Sequence, residues 1–171
     1  MTSQTAGFLI GSFMKRSRHS HKGHGNASSY DAEVARGGFS CSHCKQWVVI
    51  NPFIGTANRN HCHWCFWSKH VDIKKGDRRA VCQAGMRPIA LTFKHEGFGR
   101  EGELMIVHQC AQCQKISINR IARDDPEYLV MELFVASQQL SAPVRALLAA
   151  QDIVCLDSDD ESAVRRQLFG V

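Results

Sequence analysis

Apolar positions along this chain fall in short runs broken by turns as far as about residue 122, and on helical spacing beyond it. Gln46-Trp47-Val48-Val49-Ile50 predicts a strand that Asn51-Pro52 ends. Pro88–Lys94 and Glu103–His108 predict two more, joined by the Gly-rich turn Gly97-Phe98-Gly99-Arg100-Glu101-Gly102. Lys115–Ala122 alternates Ile116 and Ile118 with Ser117 and Asn119, the period of a half-buried strand. After Asp124 the pattern changes. Asp125 is placed to cap a helix with Pro126 at its first position, and Leu129, Val130, Leu133 and Phe134 share one face of it, with Leu140 near its end. Ser141-Ala142-Pro143 starts a second helix running through Leu148, and Ile153–Leu156 is a short apolar strand or turn. Asp157–Glu161 and Arg165-Arg166 put acids at the start and bases at the end of a last helix, matching its dipole.

Residues 1–36 read as a disordered arm, because Met14 to Gly25 is polar, basic and glycine-containing, with nothing to bury. Met14, followed by Lys15-Arg16, is an alternative start, and the arm's histidines offer a loose metal cluster beside the plainer reading of a solvated tail. The expected organisation is therefore a basic arm over 1–36, a metal-binding domain over 37–126 and an acidic helical extension over 127–171.

The cysteines say what holds the middle segment together. Three Cys-x-x-Cys pairs occur, Cys41/Cys44, Cys62/Cys65 and Cys110/Cys113, and seventeen residues separate the first two. That spacing lets two knuckles converge on one tetrahedral zinc ion, since thiolates suit its borderline softness. The third pair has no matching fourth, so a second site needs Cys82 and one further ligand, most naturally a histidine. His70, twelve positions before Cys82, is the first choice. His108 and His61 are its rivals, His108 because strand alternation puts it on the same face as Cys110. Two zinc ions are expected. Cys155 stands alone and reads as a small buried apolar residue.

Six of eight cysteines lie in these pairs, and no secretory signal or membrane-length apolar run is visible, so metal-bound thiolates in a reducing cytoplasm are expected. No Cys-x-x-Cys is followed by His, which excludes haem attachment. Charge is uneven: residues 1–36 carry five Lys/Arg against two acids, 37–126 thirteen against seven, and 127–171 three against seven. A basic zinc module points to a polyanionic partner.

Several motifs recur in an order that resembles one known family. They are Arg59-Asn60-His61-Cys62 with Cys65, Ser68-Lys69-His70-Val71-Asp72, Gly76-Asp77-Arg78, Cys82, Met86, Pro88-Ile89, His108 with Cys110 and Cys113, and Asn119-Arg120-Ile121-Ala122. Over about residues 38–125 they resemble the bacterial RNHCP domain family, named for an Arg-Asn-His-Cys-Pro motif. The resemblance implies a small metal-binding fold and adds little about activity. Three departures stand out. His63 replaces the motif's Pro, and Lys45 and Gln114 follow knuckles at positions where Gly is common and a left-handed backbone is often required.

The fold expected is a small α+β protein, with zinc-ribbon-like antiparallel hairpins around two metal sites and a short helical C-terminal region. Three functions fit. In the first, a non-enzymatic zinc-stabilised module engages RNA or the ribosome through Arg59, Lys69, Lys74, Lys75, Arg78, Arg79 and Arg120, with Trp47, Trp64, Phe66 and Trp67 either stacking on bases or filling the core. In the second, Asp72, Asp77, Asp124, Asp125, His61 and His70 assemble a nuclease or hydrolase centre. No deaminase signature, phosphate loop or nucleophile elbow supports an enzyme, and no small-molecule substrate is signalled. In the third, the acidic tail makes the protein an interaction adaptor.

Overall fold

The protein, taken from a computed structural model, is described over residues 29–51, 53, 59–95 and 102–171. The readings for the arm up to residue 28, for the stop at Pro52 and for most of the Gly-rich turn lie outside these. A helix α1 (Ser29–Val34) leads into a hairpin of β1 (Gly38–Ser40) and β2 (Trp47–Val49). Gly38 is required there, because a Cβ would meet Val48 O at 2.5 Å. A four-stranded antiparallel sheet follows in the order β3-β4-β5-β6, from β3 (Ser68–Lys69), β4 (Gly85–Phe93), β5 (Leu104–Cys110) and β6 (Ile116–Arg120). Helices α2 (Glu127–Ser137), α3 (Ala142–Ala149) and α4 (Glu161–Phe169) complete the chain.

The antiparallel sheets, cysteine-rich clusters and C-terminal helices make this the small α+β fold read from the sequence. The register of β4 on β5 shifts between Pro88 and Ala90, as a residue without an N–H must. Beyond the shift, β5 is buried at every position. Leu91, Leu104 and Ile106 pack with Phe66 and with Val130, Leu133, Phe134 and Val164 of the helices. Ile89, Ala90, Val107 and Ile116 pack with Leu148 of α3. The C-terminal helices thus share both cores with the sheet.

Two local expectations fail. Disorder through residue 36 does not hold from Ser29 onward, because α1 buries Tyr30 to 1% exposure among Phe39, Cys41, Val48, Cys62 and Val71. Asp125 does not cap α2; Pro126 occupies the cap position without a side-chain hydrogen bond, and the Asp125 carboxylate is committed elsewhere. The run Ile153–Leu156 forms no strand, although Leu156 N donates to Leu91 O at 3.1 Å.

Candidate metal centres

Each knuckle is the turn of the same small hairpin. In all three, the residue before the first cysteine pairs with the residue six beyond that cysteine: Ser40 with Trp47, His61 with Ser68, and Gln109 with Ile116. The residue after the second cysteine donates its N–H to the first cysteine's carbonyl, from Lys45 at 3.1 Å, Phe66 at 2.7 Å and Gln114 at 3.2 Å. That closure needs a left-handed residue, and the three have φ of 65°, 58° and 62°. Cys82 is likewise followed by a left-handed residue, Gln83 at φ 50°. The sequence flagged Lys45 and Gln114; Phe66 holds the same place after its knuckle and was passed over, and Gln83 follows a cysteine that belongs to no Cys-x-x-Cys pair. A non-glycine residue there costs about 1–2 kcal/mol, so a strong interaction must hold each knuckle closed.

Metal ligation supplies it. The sulfurs of Cys41, Cys44, Cys62 and Cys65 all lie within 4.8 Å of one another, and the Cys41–Cys65 and Cys44–Cys62 separations are 3.6 Å. A disulfide would require about 2.05 Å, whereas a tetrahedron of zinc–sulfur bonds of about 2.3 Å has edges near 3.8 Å. The amides of His43 and Trp64 donate to Cys41 and Cys62 at 3.4 Å, favouring thiolates. Cys62 is pushed down to about 5, chiefly by the hydrogen bond from Cys65, while Cys65 is pushed up by giving that bond and by burial.

The second centre gathers His70, Cys82, Cys110 and Cys113. Cys82 and Cys110 are 3.6 Å apart, and His70 presents Nδ1 to Cys113 Sγ at 3.3 Å. Burial pushes Cys110 up, but the amides of Cys113 and Gln112 and hydrogen bonds from Cys113 and His70 more than offset it, bringing it to about 6. Three thiols and an imidazole, like four thiols, are a structural zinc donor set. The two clusters fit two zinc ions, so the chain is a zinc-binding structural module.

Both rival histidines are engaged elsewhere. His108 is fully buried; its Nε2 donates to Phe66 O at 2.7 Å and its Nδ1 accepts from Asn119 Nδ2 at 3.0 Å. Burial pushes it down to about 3, so it is a neutral bracket between β5, β6 and the second knuckle. His61 bonds Asp125 through Nε2 at 2.7 Å. Arg59 reaches the same carboxylate, pairs also with Asp124, and donates to His61 O at 2.9 Å. Arg59 was expected to bind nucleic acid. Its side chain has no solvent exposure and serves as the internal counter-ion of Asp125, which corrects that expectation.

The Arg-Asn-His-Cys motif thereby acquires a physical meaning. Cys62 is a ligand, while Arg59 and His61 clamp Asp125, which also accepts the Ala122 N–H at 2.7 Å. The clamp joins the first metal centre to the segment that opens α2. Burial pushes Asp125 up, but the hydrogen bond from His61 and the charges of His61 and Arg59 leave it below the usual carboxylate range.

The other expected contacts divide. Lys74, Lys75 and Arg79 are exposed on the β3–β4 connection, with Lys69 and Arg78 half-buried beside them. Arg120 is not part of this group; it pairs with Glu103 at 2.7 Å and lines a different cleft with Asp125 and Glu127. The acids read as a hydrolytic centre divide: Asp124 and Asp125 meet at Arg59, with Asp125 also on His61, while Asp72 and Asp77 lie on the β3–β4 connection. Asp72 accepts from the amides of Gly76 and Arg78, and Asp77 from those of Ile73, Lys74 and Arg79. Among the described residues, only the two cysteine clusters form metal-binding groups. Tyr30 escaped sequence reading altogether: its hydroxyl donates to Arg59 O at 3.3 Å, and Lys69 Nζ stands 5.2 Å from its ring centroid. No helix among the described residues is long and apolar enough to cross a membrane.

Comparison with known proteins adds one finding. A family model described as the RNHCP domain matches residues 36–131. No curated protein and no solved structure matches the chain.

Proposed function

The chain belongs to the RNHCP domain family, and we propose that it is a non-enzymatic, cytoplasmic RNA-associated protein whose zinc centres hold a cationic loop in place. The supporting observation is the β3–β4 connection. It leaves His70 and returns at Cys82, so the second centre staples its two ends. Between them, Asp72 and Asp77 turn their carboxylates onto the loop's own amides, while Lys74, Lys75 and Arg79 reach solvent. A stapled loop presenting cations outward suits a polyphosphate, which needs charge in place more than chemistry. Ribosome association is one setting in which such a loop would meet RNA.

Fluorescence anisotropy with a labelled single-stranded RNA, repeated across salt concentrations, tests this. Binding should weaken steeply with salt, and replacing Lys74, Lys75, Arg78 and Arg79 together by alanine should weaken it and flatten the slope. Zinc content should stay at two per chain. Salt-independent binding, or none at low ionic strength, overturns the reading.

A further inference from the structure

The face of the four-stranded sheet nearest the second metal centre holds a cleft of about 610 Å³. That lies within the range of about 300–1,000 Å³ that encloses a small ligand. Three kinds of group meet in it. Lys69, Lys75, Arg78 and Lys115 supply positive charge, and the one acid among the described lining residues, Asp72, accepts from the amides of Gly76 and Arg78. Val71, Ile73, Met86, Ile116 and Ile118 supply apolar surface, with Ile73 and Ile118 still 54% and 39% exposed. Asn60, Ser117 and Asn119 supply neutral hydrogen-bonding groups.

Two of these groups have capacity to spare. Among the described residues no hydrogen bond engages the Asn60 side chain, although its backbone carbonyl accepts from Ser68 Oγ at 2.9 Å. Asn119 spends its Nδ2 on His108 and Ser68, and its Oδ1 has no partner among the described residues. Arg78 pairs with Asp72 at 3.9 Å and stands 5.5 Å from the Tyr30 ring centroid, while its buried Nη1 has no hydrogen-bond partner among the described residues.

The geometry points to a subsite for one nucleoside phosphate: its base lies against the exposed Ile73 and Ile118 within reach of Asn60 and Asn119, and its phosphate meets Lys75 and Arg78. Apolar surface, amides and cations in one concavity match the three parts of a nucleotide, whereas a bare phosphate would leave the apolar strip unused. A base enters such a cleft only when unstacked, so the strand that fits is single. This rests on the RNA reading above and sharpens it. The site is not legible in the sequence, because its lining comes from separate strands and loops.

The test uses the full zinc-loaded chain with a short single-stranded RNA and, separately, with uridine and adenosine monophosphates. Ile118→Asp and Lys75→Ala each alter the cleft, whereas Arg87→Ala and Arg165→Ala remove exposed charge outside both it and the 71–81 loop. The expectation is at least a tenfold loss of RNA affinity in Ile118→Asp, a smaller loss in Lys75→Ala and no more than twofold in each outside variant. Zinc should stay at two per chain throughout, and excess monophosphate should compete. Equal effects inside and outside the cleft would overturn the subsite while leaving the RNA reading intact. If the intact protein binds no RNA but binds a monophosphate, with loss in Ile118→Asp, the RNA reading falls and the ligand is a free nucleotide. Binding of neither overturns both.

Discussion

The two metal centres use similar donors but are built differently. The first joins two complete knuckles whose hairpins have the same register, and its ligands alternate between buried and half-buried. The second joins one complete knuckle to two ends of a loop, His70 and Cys82, and its Cys113 is exposed. The first is welded into the core: Phe66, directly after Cys65, packs with the helices, and Arg59 and His61 clamp Asp125. The second is welded to the surface it staples. Similar chemistry therefore serves two purposes, the first holding the fold and the second holding a loop.

The largest expected effect tests the first purpose. Cys62→Ser should abolish the cooperative unfolding transition, because a structural zinc site supplies about 10–16 kcal/mol in small zinc domains and Cys62 is completely buried. Circular dichroism and thermal melts would show it. A variant that keeps a sharp transition would mean the first centre is dispensable.

Next comes the clamp. Asp125→Asn should cost about 3–5 kcal/mol in urea unfolding at neutral pH, the usual consequence of breaking a buried ion pair, since it leaves the buried Arg59 only the part-exposed Asp124. The sign with pH follows from the lowered carboxyl. A carboxyl depressed on folding adds stability above its unfolded value of about 3.9, and that contribution is lost as pH falls through the folded value. The gap between the two proteins should therefore narrow on acidification, a comparison that cancels the thiols they share. A constant gap would place the cost in packing instead of charge.

The second purpose predicts a milder outcome. His70→Ala should lower zinc from two to one per chain by native mass spectrometry and leave the helices folded. Amide exchange should rise in the 71–81 loop and stay low in β5. If His108→Ala removes the zinc while His70→Ala does not, the second ligand set is wrong. Smallest of all, Cys155→Ser should leave both zinc ions and shift stability by about 1 kcal/mol or less, the effect of a conservative change at a half-buried position.

Much of this was legible in the sequence because it is local. Cys-x-x-Cys spacing announces a knuckle, and the left-handed residue each knuckle needs was anticipated at Lys45 and Gln114. Helix positions followed from the spacing of Leu129, Val130 and Leu133 and from Pro143 beside Ser141. What stayed hidden is what long-range pairing decides. Arg59 looked like a surface cation because nothing near it in sequence marks Asp125 as its partner, 66 residues away. Tyr30 looked disordered because its burial depends on Phe39, Val48 and Val71. The acidic C-terminal region looked separable by charge, yet its apolar face completes the sheet's cores.

The central claim, that the fold stands on the first zinc centre and the loop on the second, is tested most directly by chelator titration. Native mass spectrometry would count zinc while amide exchange follows the 71–81 loop and β5 separately. The account predicts stepwise release: the zinc bound by exposed Cys113 leaves first and only the loop opens, then the second departs and β5 loses protection. Loss of β5 protection with the first ion, or an apo chain that keeps β5 protected, would contradict it.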